Sequence, residues 1–139
     1  PEDLGFRVYK LGRSQVRRWQ SYEGESTQDV ADLFTQFQSP LVDGWDPDAL
    51  RVEIMLQEGF PLDSRVERLA GITGNAVDCV ASEWCEHRLF VCLDDALADA
   101  TVEALPGALG AQDIFVCLDS ALSDEAKLRL ADRCNVHVI

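Results

Sequence analysis

The sequence predicts an α/β fold with a parallel sheet in the C-terminal half of the chain. The eight residues 90–97 (FVCLDDAL) return 25 positions later, counting from 90 to 115, as residues 115–122 (FVCLDSAL). Each copy begins with a continuous apolar run, which is typical of a strand buried on both faces of a sheet. The residues between the two runs suit a helical crossover. The repeat therefore predicts a βαβ unit with two parallel strands.

The flanking residues extend this unit to β-α-β-α-β. A helix from about Ala98 is predicted to end at Leu105-Pro106-Gly107, since proline cannot continue it and glycine tolerates the turn. Ser123 is placed to cap a last helix, and residues 136–139 (VHVI) have the composition of a short final strand. Right-handed crossovers would join these strands in one Rossmann-like parallel sheet.

An N-terminal strand and two helices are predicted before the sheet. Residues 6–11 (FRVYKL) alternate apolar and polar side chains, as a strand with one solvated face does. A first helix is predicted from Ser26 to Pro40, because its apolar residues fall at i, i+3, i+4 and i+7. A second helix starts at Asp46-Pro47, a cap followed by proline at the first helical position, and stops at Gly59.

A further strand is predicted at residues 76–80, with a turn at 83–87 that leads into the strand at Phe90 as a hairpin. We interpret residues 1–139 as a single domain, with a strand-plus-helical part at 1–62 and a parallel-sheet part at 63–139. The chain opens without an initiator methionine, so we expect a fragment of a longer polypeptide.

The charge balance and the cysteines restrict the classes of function. Twenty-five acidic residues against 12 basic ones give a formal charge of -13, which opposes a main role in gripping nucleic acid. The five cysteines form no CxxC pair and suit reduced thiols in a cytosolic protein. Because no apolar stretch approaches the roughly 20 residues of a bilayer span, we expect a soluble, cytoplasmic protein without a membrane partner.

Asp94, Asp95 and Asp119 are the best candidates for a ligand site. They follow the two predicted parallel strands, and open α/β sheets bind ligands at the carboxyl ends of strands. Three carboxylates there could hold Mg²⁺, as in phosphoacceptor receiver domains, although those domains carry the acidic pair near their start. The favoured alternative is that these aspartates cap helices and solvate loop ends.

A basic stretch near the N-terminus is the candidate DNA or subunit contact. Five of the 12 basic residues gather there, at 7, 10, 13, 17 and 18. Arg13, Arg17 and Arg18 could contact phosphates, with Trp19 stacking on a base. The alternative, which the net charge favours, is that this stretch pairs with the protein's own acids or with a missing part of the chain.

A family resemblance is carried by five features in chain order: residues 5–11 (GFRVYKL), Trp19, 59–63 (GFPLD), 89–95 (LFVCLDD) and 114–119 (IFVCLD). Together they look like the C-terminal region of the modification subunit of type III restriction-modification systems, the site-specific adenine-N6 DNA methyltransferases. The resemblance runs from about Gly5 to Lys127. It departs from the family pattern in the last helix, where Lys127 lacks the asparagine two positions later, and at Leu122, where an aromatic residue is common.

The chain lacks the catalytic motifs of that family. It contains no Asp-Pro-Pro-Tyr, which holds the flipped adenine, and no Phe-x-Gly-x-Gly for the methyl donor. The resemblance therefore implies a noncatalytic C-terminal domain, which in the family helps form the methyltransferase dimer and contacts the restriction subunit. It also implies that S-adenosylmethionine binds elsewhere in the parent methyltransferase, with no cofactor in this domain.

Two hypotheses of different class follow. The first is an interaction or dimerisation domain of a DNA adenine-N6 methyltransferase-like protein, with a second copy or the restriction subunit as partner and DNA reached only through the parent protein. The alternative is a free-standing small α/β metal-dependent enzyme or phosphoacceptor that uses the strand-end aspartates Asp94, Asp95 and Asp119.

Overall fold

The computed structural model describes residues 6–18, 31 and 39–139. The chain divides into two compact units, Pro1–Glu53 and Ile54–Ile139. The complete elements in the described residues are α1 (Pro47–Gln57), β1 (Arg65–Arg68), β2 (Val77–Ala81), β3 (Leu89–Cys92), α2 (Asp99–Ala108), β4 (Ile114–Cys117), a short 3₁₀ helix (Asp119–Ala121), α3 (Asp124–Ala131) and β5 (Asn135–Val138).

The second unit is built on a five-stranded mixed sheet in which the strands lie in chain order from β1 to β5. β1 and β2 form an antiparallel pair, as do β2 and β3. β3, β4 and β5 pair in parallel, with α2 and α3 as the crossovers. The α/β class is therefore confirmed, and so are the hairpin of β2 with β3 and the short final strand.

The sequence repeat forms a pair of neighbouring strands in matched register. Phe90 lies beside Phe115, and Cys92 lies beside Cys117. Equivalent residues of the two copies are therefore direct neighbours across the sheet. Since side chains alternate between the two faces of a strand, each face of β3 and β4 receives matching pairs of apolar groups.

Both faces of β3 and β4 are buried. On one face, Phe90, Cys92, Phe115 and Cys117 join the hydrophobic core formed with apolar side chains of α2 and α3. Leu89, Val91 and Val116 alternate with them along the strands and are also buried. This two-sided burial is the reason why the two runs contain no polar residue.

The capping residues predicted from the sequence cap two helices. The Asp46 carboxylate accepts hydrogen bonds from the N–H groups of Asp48 (2.8 Å) and Ala49 (3.3 Å) at the start of α1. Gly59 follows the end of α1 with a positive φ of 85°, which a side chain would strain. At α3, the Ser123 hydroxyl accepts from the Ala126 N–H at 3.2 Å.

The predicted N-terminal strand is wrong. Residues 6–11 form no regular structure, and Phe6 and Leu11 are fully exposed. An alternating pattern produces a strand only where a neighbouring strand accepts the pairing, and these six residues join no ladder. The predicted helix from Ser26 to Pro40 lies outside the described residues, apart from its helical Ala31 and residues 39 and 40.

Two further details differ from the predictions. Helix α2 does not end at Pro106 but includes it and continues to Ala108. Proline in the last turn removes one backbone hydrogen bond, and the helix still closes through the Leu109 N–H, which donates to the Leu105 carbonyl at 3.1 Å. Strand β1 was missed because its residues (RVER) include a single apolar side chain.

A buried carboxylate joins the starts of the parallel strands. Asp113, 5% exposed, precedes β4 and accepts hydrogen bonds from the N–H groups of Gly110 (2.8 Å) and Arg88 (2.8 Å). The Arg88 guanidinium, just before β3, donates to it at 2.6 Å and to the Ala108 carbonyl at 3.0 Å. The Asp113 carbonyl accepts from the Asn135 N–H, the first residue of β5, at 3.1 Å.

Burial alone would raise the pKa of Asp113, but the hydrogen bonds from Arg88 and Gly110 and the charge of Arg88 outweigh it. The pKa of this carboxyl group is therefore lowered in the folded protein. A group with a lowered folded pKa contributes stability that is present above its ordinary pKa and is lost as the pH falls towards the folded pKa.

We expect Asp113→Asn to lower the free energy of unfolding by about 2–3 kcal/mol near neutral pH, since a neutral amide replaces a buried charged acceptor. The difference between wild type and variant should narrow as the pH falls below the ordinary carboxyl pKa, because the unfolded chain then binds a proton before the folded Asp113 carboxylate does. Urea denaturation at a series of pH values measures both effects.

Glu125→Gln is the matched control, because Glu125 and Arg129 form an exposed i,i+4 pair at 3.8 Å. This change should cost less than about 0.5 kcal/mol. Equal losses of unfolding free energy in the two variants would contradict the role given to Asp113. So would a difference between wild type and Asp113→Asn that stays constant down to about pH 3.

Candidate functional site

The sheet topology brings the strand-end aspartates to one edge. Asp94 follows β3 and Asp119 follows β4, and these strands are parallel neighbours, so both residues lie at the carboxyl end of the sheet. Asp95 is exposed next to Asp94. Among the described residues, however, no three His, Cys, Asp or Glu side chains come close enough together to hold a metal ion.

Asp94 acts as a structural clamp. Its Oδ2 accepts hydrogen bonds from the Asn75 side-chain amide (2.8 Å) and from the Ala76 N–H (3.0 Å). Asn75 also donates to the Ala96 carbonyl and accepts from the Ala98 N–H, both at 2.8 Å. Together, Asp94 and Asn75 fasten the segment before β2 to the loop that enters α2.

Asp119 is engaged with the last helix. Its Oδ1 accepts from the Lys127 ammonium group at 2.5 Å. The hydrogen bond that Lys127 donates to Asp119 is the main reason why the pKa of Lys127 is raised, and the negative charge of the same carboxylate adds to it. Two of the three aspartates thus have intramolecular partners, but neither caps a helix: the helix after β3 and the 3₁₀ helix have no side-chain cap.

The basic stretch is partly used within the first unit. The Arg17 guanidinium donates to Asp43 at 2.6 Å and to the Leu41 carbonyl at 2.7 Å. Arg13 and Arg18 are exposed. Trp19 lies outside the described residues, so its predicted stacking role stays a prediction. The arrangement of Arg17 follows the alternative in which this stretch pairs with the protein's own acids.

The cysteines are free, and those of the repeat are deeply placed. Cys92 and Cys117 are fully buried side by side. Burial raises the pKa of the Cys92 thiol to about 11 and that of the Cys117 thiol to about 12. Since the thiolate is the reactive form, neither group is suited to nucleophilic chemistry near neutral pH.

The two outer strands of the sheet differ in their protection. β1 carries three charged side chains, at Arg65, Glu67 and Arg68. β5 (NVHV) carries no acidic, lysine or arginine side chain, and Val138 is 44% exposed. Natural sheets guard their outer strands with charge. By this criterion β1 is guarded by its own charges, whereas the ionisable contact of β5 is the one between His137 Nδ1 and the Glu58 carboxylate at 2.8 Å.

Backbone groups of β5 also point away from the sheet. The N–H groups of Asn135 and Ile139 donate to the Asp113 and Cys117 carbonyls, at 3.1 and 3.0 Å. Alternate residues of a parallel strand bond to opposite sides, so the N–H and C=O groups of Val136 and Val138 face the outer side. In the described part of the chain, β5 has β4 as its single strand neighbour.

A cleft of about 560 Å³ opens near the other end of the sheet order, where β1 begins and β2 ends. We call it the Trp84 cleft. Its lining residues are Asp63, Ser64, Arg65, Ala81, Ser82, Glu83 and Trp84. The Trp84 N–H donates to the Ser82 hydroxyl at 3.2 Å, and the Cys85 N–H donates to the Ser82 carbonyl at 3.3 Å. This tight turn presents the Trp84 side chain to solvent, with 82% of its surface exposed.

Sequence reasoning missed both the Trp84 cleft and the open edge of β5. The signal for the cleft was a tryptophan inside the mostly polar segment 82–87 (SEWCEH), whose composition does not predict burial. The signal for the edge was the absence of charge from the final strand. Neither pattern predicts a surface feature until the order of the strands in the sheet is known.

Comparison with protein-family models, with curated proteins and with solved structures found no match to this chain. The resemblance to the modification subunits of type III systems therefore stays a prediction. None of the helices in the described part of the chain is long and apolar enough to cross a bilayer.

We expect Asp94→Ala to lower the free energy of unfolding by about 1–2 kcal/mol, because it leaves the Asn75 amide and the Ala76 N–H without their acceptor. Asp95→Ala is the matched control and should change stability by less than about 0.5 kcal/mol, since Asp95 is exposed. Chemical denaturation of both variants, with and without Mg²⁺, tests this. Stabilisation by Mg²⁺ that either variant abolishes would instead support the metal-site hypothesis.

We also expect Cys92 and Cys117 to resist an alkylating reagent in the folded protein near pH 8 and to react once the protein is unfolded. Mass spectrometry of labelled peptides identifies the modified thiols. Rapid labelling of either residue under native conditions would contradict their assignment as inert core groups.

Proposed function

We propose that this chain is a noncatalytic interaction and dimerisation domain of a DNA adenine-N6 methyltransferase-like protein of a restriction-modification system. The resemblance of its strand segments to type III modification subunits supports the family. The internal bonds of Asp94 and Asp119 favour a structural role for the strand ends over a catalytic one. In this proposal the chain alone is not an enzyme, and S-adenosylmethionine binds in another part of the parent protein.

We further propose that the segment from β3 to β5 is half of a Rossmann-like sheet. Three parallel strands in chain order, joined by α2 and α3, support it. The cytoplasm is the compartment that we propose, because all five cysteines are free thiols. DNA would be reached only through the parent protein, since the chain has a formal charge of -13.

The observation that carries the association role is the open edge of β5. It combines outward-facing backbone groups at Val136 and Val138 with a strand that has no acidic, lysine or arginine side chain and whose His137 contacts the Glu58 carboxylate at 2.8 Å. Such an edge is suited to pairing with another strand. In a dimer with a two-fold axis, the two β5 strands would run antiparallel and extend the sheet across the interface.

Light scattering over a concentration series tests this. We expect the wild-type chain to approach the mass of a dimer, and Val138→Lys to weaken the dimer by at least about tenfold in dissociation constant, because it places charge on the pairing edge. Val66→Lys, the same substitution on the charged strand β1, should leave the mass unchanged.

A chain that stays monomeric at every concentration would contradict dimerisation through β5. Docking on the restriction subunit would then be tested by binding measurements between the full-length modification protein and that subunit, with Val138→Lys and Val66→Lys as the matched pair. Equal binding by both variants would remove the β5 edge from the proposal altogether.

A further inference from the structure

We infer that the Trp84 cleft binds an arginine side chain from a basic segment of a different protein. This inference goes beyond the proposed dimerisation. The cleft lies where β1 begins and β2 ends, whereas β5 is the strand at the opposite end of the sheet order. The two surfaces can therefore be tested separately.

The exposed indole of Trp84 is the first feature that indicates a contact surface. Trp84 leaves 82% of its surface in water, although a tryptophan gains more than most residues from burial. It lies on a tight turn held by Ser82, so its backbone is fixed before any partner arrives. Tryptophan is among the residues enriched at the energetic centres of protein–protein interfaces.

The charges around the indole select a cation. Asp63 and Glu83 line the same cleft and are both exposed. Arg65 also lines it, at 3.8 Å from the exposed Glu67 carboxylate, so the two acids and one base of the lining leave a net negative charge. Two carboxylates and an indole in one cleft match a guanidinium group, which donates hydrogen bonds to carboxylates through its edge and stacks on aromatic rings through its plane.

The overall charge argues for a different protein as the source of that cation. The chain has a formal charge of -13, so a basic partner is attracted at long range. The rim of the cleft is polar, through the side chains of Ser82 and Glu83, as the rim of a protein interface is. An arginine of a basic partner segment is thus the occupant that this surface favours.

The test titrates the full chain with the capped tripeptide Gly-Arg-Gly and follows the tryptophan indole N–H signals by NMR. Trp84→Phe identifies the signal of Trp84 among the three tryptophans of the chain. We expect a saturable shift of this signal. The isosteric citrulline peptide, which is neutral, should bind at least about fivefold more weakly.

Asp63→Asn combined with Glu83→Gln should raise the dissociation constant of the arginine peptide by at least about fivefold. The matched control is Asp95→Asn combined with Glu125→Gln, which removes the same charge from exposed positions outside the cleft and should have no effect. Equal binding of the citrulline and arginine peptides, or no saturable shift of the Trp84 signal, would overturn the inference.

The mass of the protein separates this inference from the proposed function. The cleft variants should leave the dimer intact, and Val138→Lys should leave peptide binding intact. If Trp84→Ala abolished the dimer while Val138→Lys did not, the occupant of the cleft would be a second copy of the chain, and the inference of a different partner would be overturned.

Discussion

The buried carboxylate of Asp113 is the interaction on which the parallel part of the sheet depends. It holds Arg88 before β3, the turn after α2 and, through its backbone carbonyl, the first residue of β5. Without it, Arg88 and the Gly110 N–H would lose a shared partner at a site from which water is largely excluded. The carboxyl end of the sheet is held differently, by local pairs at Asp94 and Asp119. Asp113 thus links the amino ends of the three parallel strands.

The strand-end aspartates Asp94 and Asp119 already have partners within their own chain. In sheets that bind ligands at the carboxyl edge, the polar side chains there remain available to the ligand. Here Asp94 and Asp119 accept hydrogen bonds from their own chain, and two other features lie elsewhere: an outer strand without acidic, lysine or arginine side chains, and an exposed indole. These features are suited to contacts with other proteins more than to chemistry on small molecules.

The sequence predicted the elements whose signals are local and strong. The repeat identified β3 and β4, the Asp46-Pro47 start identified α1, and Ser123 identified the cap of α3. It failed where the outcome depends on distant parts of the chain. The alternation of residues 6–11 was not enough to make a strand, and β1 formed from a mostly charged segment because β2 offered it a partner. The two candidate contact surfaces were not predictable, since each depends on strand order.

The matched register of the repeat also affects how the protein avoids aggregation. Strands with nearly identical sequences can stack on their own copies from other molecules as readily as on each other. Arg88 and Asp113 occupy the same position before the two copies of the repeat, and they carry opposite charges. Pairing β3 with β4 brings these charges together, whereas stacking β3 on another β3 in the same register would oppose arginine to arginine. The position before each copy of the repeat thus favours the pairing of β3 with β4 and opposes the stacking of β3 on the β3 of another molecule.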